Sequence, residues 1–250
     1  MKNLTILLLS GLLFTGCGVY TNHYYDGNLA SRSTISQKPA YRDSTVKATY
    51  ISGNIQGTLR DESFNTDESS AFGTVNVHRA ITKKHMNFSY GGFLHGGNYK
   101  TAEEENIAGE RVAGGRQAFY GGGLNTEINY NLPFRQIDWR VIGAKLSYQY
   151  ENGDFRSFRK RAKELGITDN KIHKTGMLQL NLTSEVVVKL KKHEFGYGIS
   201  FSSGEFLYTG NRFFFTSDKY TFTIQRNQAI VHDGGAGATV TGFGFAYRIK

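Results

Sequence analysis

The run GMLQLNLTSEVVVKL, Gly176 to Leu190, decides the fold. Leu178, Leu180, Leu182, Val186 and Val188 fall on one side of an extended chain, and Gln179, Asn181, Thr183, Glu185 and Lys189 on the other. Side chains alternate across a strand, so this stretch is a strand with one apolar and one polar face. The following segment repeats the scheme, with Phe195, Tyr197, Ile199 and Phe201 opposing Gly196, Gly198, Ser200 and Ser202. So does the C-terminal one, with Phe243, Phe245, Tyr247 and Ile249 opposing Gly242, Gly244, Ala246 and Arg248.

Working upstream, the same alternation recurs around Ile142–Tyr150, Tyr120–Tyr130, Met86–Leu94 and Val75–Ile81. It is weakest at Val46, Ala48 and Tyr50, which oppose Lys47 and Thr49. The periodicity predicts eight strands. Their connections alternate in length. Short ones lie near Thr82–His85, Leu132–Ile137 and Lys191–His193, and long ones span Ile55–Ser70, Gly96–Gly115, Glu151–Thr175 and Thr209–Gly235. Short turns at one end, long loops at the other and an even strand count are the rhythm of a transmembrane β-barrel. Within the last long loop, Phe213–Phe215 and Tyr220–Ile224 are strand-like. Neither proline, Pro39 or Pro133, falls inside a predicted strand, as ladder hydrogen bonding requires.

The expected fold class is therefore all-β, an eight-stranded antiparallel up-and-down barrel. Two orientations are open. A soluble, lipocalin-like barrel turns its apolar face inward around a small apolar ligand, and a membrane barrel turns it outward. The polar face favours the second, being rich in Gly, Ser, Asn and Gln with few charges, whereas a water-facing surface carries many. Its charges, Lys47, Glu127, Lys145, Glu185 and Arg248, are expected to pair within the lumen. Tyr130, Phe195 and Tyr247 mark one membrane interface, and Tyr50, Tyr120, Tyr148 and Tyr150 the other. Arg79 and Arg140 fall on the apolar face by parity.

The N-terminus carries separate information. Lys2 precedes an apolar run from Leu4 to Phe14, followed by Thr15, Gly16 and Cys17, the single cysteine. The run is shorter than the ~20 residues that cross a bilayer. With one cysteine, an intramolecular disulfide and a Cys-based metal site are both excluded. Residues 18–43 are polar without periodicity. The organisation read from the chain is a signal over 1–16, a tether over 17–43, and a barrel over 44–250. A net charge of +9 favours anionic surfaces. An export signal makes lipid phosphates more natural partners than nucleic acid.

Residues 13–17 resemble the lipobox of bacterial lipoproteins, cut before the cysteine and acylated on it, with Phe14 where leucine is usual. Residues 44–250 resemble outer-membrane β-barrels of Gram-negative bacteria, in particular the small eight-stranded kind carrying a lipoprotein signal. The last strand is similar to the assembly signal of such barrels, although it ends in Lys250 and not in an aromatic. The resemblance implies an outer-membrane location, a lipid anchor at Cys17, and handling by barrel-assembly and lipoprotein-sorting machinery.

Motifs for chemistry are sparse. His95 near Tyr90 and His232 near Asp233 are the candidates for a lipid-modifying enzyme, but no constellation of nucleophile and base accompanies them. Asp61, Glu62, Asp67, Glu68, Glu103, Glu104, Glu105 and Glu110 offer oxygen ligands without the spacing of a calcium loop. The glycine pairs precede no helix and are not phosphate loops. No cofactor is expected. In the third long loop, Arg156, Arg159, Lys160, Arg161 and Lys163 alternate with Phe155, Phe158, Ala162 and Leu165 at helical spacing. That pattern reads either as an interfacial helix facing lipopolysaccharide phosphates or as a loop cap with charges in water. The expected role is non-enzymatic, a structural, adhesive or accessory surface component acting through long loops.

Overall fold

The computed structural model describes residues 34–42, 44–58, 69–101, 103–105, 108–166, 176–203, 207–230 and 236–249. Within them, ten strands form one closed antiparallel barrel: β1 (Val46–Thr58), β2 (Ser69–Thr82), β3 (Met86–Thr101), β4 (Gly115–Pro133), β5 (Ile137–Asn152), β6 (Gly176–Lys189), β7 (His193–Ser202), β8 (Leu207–Ser217), β9 (Tyr220–Ile230) and β10 (Ala236–Arg248). Each strand pairs with the next, and β10 closes onto β1 from Tyr50↔Arg248 to Thr58↔Val240.

The count of ten corrects the expected eight. The stretch expected as a fourth long loop is the hairpin β8–β9, in register from Leu207↔Ile230 to Ser217↔Tyr220. Its turn is only Asp218 and Lys219, with Asp218 at φ 52°. That left-handed conformation is one aspartate tolerates better than most residues. No glycine or proline punctuates this turn, so the sequence shows a continuous polar–aromatic run. The two added strands keep the count even, and both barrel ends of the chain lie with the short turns.

The faces are sorted as a membrane barrel sorts them. Ile55, Leu94, Leu124, Leu178 and Phe243 point outward, each at least 66% exposed. Asn76, Ser89, Asn131, Gln149 and Gln179 point inward and are buried. A lipocalin-like barrel requires the reverse, so the apolar-ligand alternative does not fit this interior. Tyr130 and Phe195 lie outward at the short-turn end, and Tyr120, Tyr148 and Tyr150 toward the long-loop end.

Two phase expectations are overturned. In β1, Ala48 and Tyr50 face inward, packed with Ala80 and Ala246, while Lys47 is outside and exposed. Tyr50 therefore stacks on His78 inside the barrel, with ring centroids 5.2 Å apart, and belongs to no outer girdle. Alanine and threonine do not discriminate between faces; the outward aliphatic row begins only at Ile51 and Ile55. In β5, register shifts between Arg140 and Gly143 toward β6, and opposite Tyr130/Asn131 in β4, change the parity. Arg140 is thereby turned inward and is 1% exposed. A bulge reverses which face every residue beyond it presents. Arg79 remains outward.

Candidate functional site in the barrel lumen

Residues 34–40, expected as part of a tether, run inside the barrel, and Tyr41 and Arg42 leave it at the short turns. Thr34 to Ala40 are all buried. An extended chain inside a lumen must have its peptide groups satisfied by lumen side chains, and β2 supplies a ladder of them. Asn76 Nδ2 donates to the Ile35 carbonyl at 2.9 Å, His78 Nε2 lies 2.8 Å from the Gln37 carbonyl, and Thr82 Oγ1 donates to the Pro39 carbonyl at 2.9 Å. From β5, Arg140 Nη2 donates to the Lys38 carbonyl at 2.9 Å and Lys145 Nζ to the Thr34 carbonyl at 3.1 Å. The segment thus descends from mid-barrel toward the short turns. There the Tyr41 amide donates to Asp138, and Arg42 reaches the carbonyls of Leu190 and Lys191.

The charges around this segment form one network. Lys38 Nζ bonds Glu127, and also Asn129 at 2.8 Å. Glu185 receives Arg140 on one carboxylate oxygen and Arg212 on the other. Strand register explains the second cluster: Arg140 pairs with Glu185, Glu185 with Gly198, and Gly198 with Arg212. Gly198 has no side chain, which opens the path for Arg212 to cross to Glu185. Buried charges persist only when paired and hydrogen-bonded, and four cations here (Lys38, Arg140, Lys145, Arg212) face three carboxylates (Glu127, Asp138, Glu185). A cavity of about 70 Å³ beside Ser36, Lys38, Lys145, Glu185 and Arg212 leaves room for a few ordered waters.

Of the residues expected to pair within the lumen, the fold brings together Glu127, Lys145 and Glu185. Lys47 lies outside. Arg248 sits at the short-turn rim, where Nη2 donates to the Asp218 carbonyl at 3.1 Å. The sequence reading missed Lys38, Arg140 and Arg212. Lys38 lies in an aperiodic stretch with no parity signal, and the parity that put Arg140 on the apolar face is reversed by the bulge between Arg140 and Gly143. Arg212 was legible in principle, because Tyr208, Gly210, Arg212 and Phe214 alternate with outward residues.

The far mouth is closed differently. Helix α1 (Asp154–Glu164) follows β5 and turns Phe155, Phe158, Arg159 and Ala162 inward. Phe155 enters a cluster with Phe72, Phe93, Tyr99, Phe119 and Val240 at the barrel mouth. Gly153, at φ 122°, permits the sharp change of direction, since a Cβ there would meet the Ala118 carbonyl oxygen at 2.5 Å. Of the basic loop residues, Lys160, Arg161 and Lys163 are exposed and Arg156 is half-buried, but Arg159 is buried, with its guanidinium 4.9 Å from the Phe155 ring centroid. The helix is a cap on the barrel, and its apolar face is already spent there.

The remaining candidates are separated. His95 lies in the lumen, its side chain inaccessible, with Nε2 3.4 Å from Glu151 and neither ring nitrogen hydrogen-bonded. Tyr90 faces the opposite way, outward. His232, Asp233, Cys17, Asp61, Glu62, Asp67 and Glu68 lie outside the described residues. Glu103 makes an exposed ion pair with Arg111 at 3.3 Å.

No family model and no curated protein sequence matches this chain. Solved structures do. An outer-membrane channel from Pseudomonas putida F1 aligns at 7% identity and a TM-score of 0.45, covering 82% of this chain and 96% of that one. The β domain of the Bordetella autotransporter BrkA aligns at 8% and 0.42, covering 82% and 99%. Neisserial surface protein A aligns at 10% and 0.35, covering 83% and 99%.

Proposed function

We propose that this chain is an integral outer-membrane β-barrel lipoprotein, anchored also through acylated Cys17. It acts without catalysis, as a structural, adhesive or accessory surface component, through the loops at its long-loop end. The observation that carries this reading is the inversion of the barrel: apolar side chains cover the outer wall, and the lumen holds a paired, hydrogen-bonded polar network threaded by residues 34–40. An outer wall of exposed leucines and phenylalanines is stable only against lipid. A lumen filled by its own chain and capped by a helix offers no wide passage. That leaves the loops, where Lys160, Arg161 and Lys163 are exposed, to meet a partner such as lipopolysaccharide.

The test is to replace Cys17 with Ala behind a conventional cleavable signal and to wash the membranes with alkaline carbonate. The variant is expected to stay in the outer-membrane pellet, because the barrel itself holds it. Its release into the soluble fraction would refute the integral barrel and leave Cys17 as the sole attachment.

A further inference from the structure

Near the short turns, two successive rungs of the outer wall run across five strands. One joins Val186, Tyr197, Phe213, Ile224 and Phe243; the next, nearer the turns, joins Val188, Phe195, Phe215, Phe222 and Phe245. The rings contact each other in pairs. Tyr197 and Phe213 have centroids 4.6 Å apart, Phe195 and Phe215 4.9 Å, and Phe222 and Phe245 5.4 Å. Between these rings the wall is hollowed, and its floor is the backbone of Gly196 and Gly244, whose Cα positions face Phe214 and Ile35 on the lumen side. The hollow is a shallow, open depression of about 760 Å³. Its open side faces away from the barrel.

Directly below lie the two turns that join these strands. They carry Lys191, Lys192 and Lys219, all exposed, and the exposed His193, stacked on Phe215 at 5.5 Å. Asp218, the acid of the second turn, is 3.8 Å from Arg248. An apolar trough at acyl-chain depth therefore ends in a cluster of cations at headgroup depth. Such cations attract the phosphates of anionic lipids.

We propose that this hollow and the lysines beneath it are a binding site for an anionic phospholipid of the leaflet at the short-turn end. An acyl chain lies along the aromatic rungs, and the phosphate is held by Lys191, Lys192 and Lys219. The site rests on the barrel's place in a bilayer. Apolar contact alone would not distinguish one lipid from another; the lysines supply selectivity for negative headgroups.

The experiment uses the full chain in nanodiscs of phosphatidylcholine doped with phosphatidylglycerol, with lipids retained on ejection read by native mass spectrometry. The protein is expected to carry phosphatidylglycerol selectively. Replacing Lys191, Lys192 and Lys219 with Gln removes three cations, each able to favour an anionic lipid several-fold, so selectivity falls on the order of 100-fold. Ile224→Trp, which fills the hollow, is expected to reduce retention with the lysines intact. Replacing Lys83, Lys84 and Arg135 with Gln removes the same charge from the other short turns and leaves selectivity unchanged. Equal losses in the two triple variants, or none in either, overturn the site. Retention seen only in Cys17→Ala also overturns it, since the chain's own acyl groups would then fill the hollow. A protein that enters no nanodisc refutes the membrane reading itself, a result distinct from the others.

Discussion

Lys38 is 2% exposed and Glu127 5% exposed, and their bond fastens the luminal segment to β4. The replacement Lys38→Met keeps most of the stem volume and removes the ammonium. Glu127 then loses its closest cation while it stays buried, and Asn129 loses a donor. Removing one member of a buried pair costs about 3–5 kcal/mol, because the remaining charge is left uncompensated. At 4 kcal/mol the folding equilibrium constant falls roughly a thousandfold. The double variant Lys38→Met with Glu127→Gln removes the stranded charge as well and is expected to recover most of that loss, giving a large coupling energy. Urea unfolding in lipid vesicles, followed by fluorescence of the single tryptophan, Trp139 on the outer wall, reads both variants. A Lys38→Met penalty below about 1 kcal/mol, the size of an exposed pair, would refute burial of residues 34–40 in the lumen. So would a double variant no more stable than the single one.

Phe155→Ala removes the ring that seats α1 in the mouth cluster, a change worth about 3–5 kcal/mol in a packed core. Trypsin cleavage between Arg156 and Lys163 is expected to accelerate at least ~100-fold by that arithmetic, and an unchanged rate would mean that the helix does not cap the barrel through Phe155. At the bulge in β5, a Cβ on Gly143 would collide with Asn129 and with Thr183 Oγ1, so Gly143→Ala is expected to destabilise by about 1–3 kcal/mol. Gly53→Ala is its control: the nearest atom to a Cβ there is the Thr74 carbonyl oxygen at 3.5 Å, and its effect stays within about 0.5 kcal/mol. The same vesicle unfolding measures both, and equal effects would deny the bulge its packing role.

An antiparallel barrel with an even number of strands and one apolar face was legible in the amino-acid pattern alone. Alternation with a period of two is a local property, and Leu178–Val188 or Phe243–Ile249 display it whatever the rest of the chain does. It also determined Glu127, Lys145 and Glu185 as inward charges, because their strands keep strict parity over the relevant stretch. Tertiary structure decided the rest. The phase of β1 came from its neighbours, β2 in register with Ala48 and Thr49 and β10 from Tyr50 onward, since Ala48 and Thr49 have no preference of their own between lipid and lumen. Arg140 turned inward because a bulge, invisible in composition, inserts a step into the alternation. The hairpin at Asp218 and Lys219 formed because Phe213–Phe215 and Tyr220–Phe222 found each other across a turn that carries no glycine. Lys38 acquired its role only when the lumen existed to receive it. An aperiodic polar segment has no face of its own, and its hydrogen bonds come from strands up to 179 residues away in sequence.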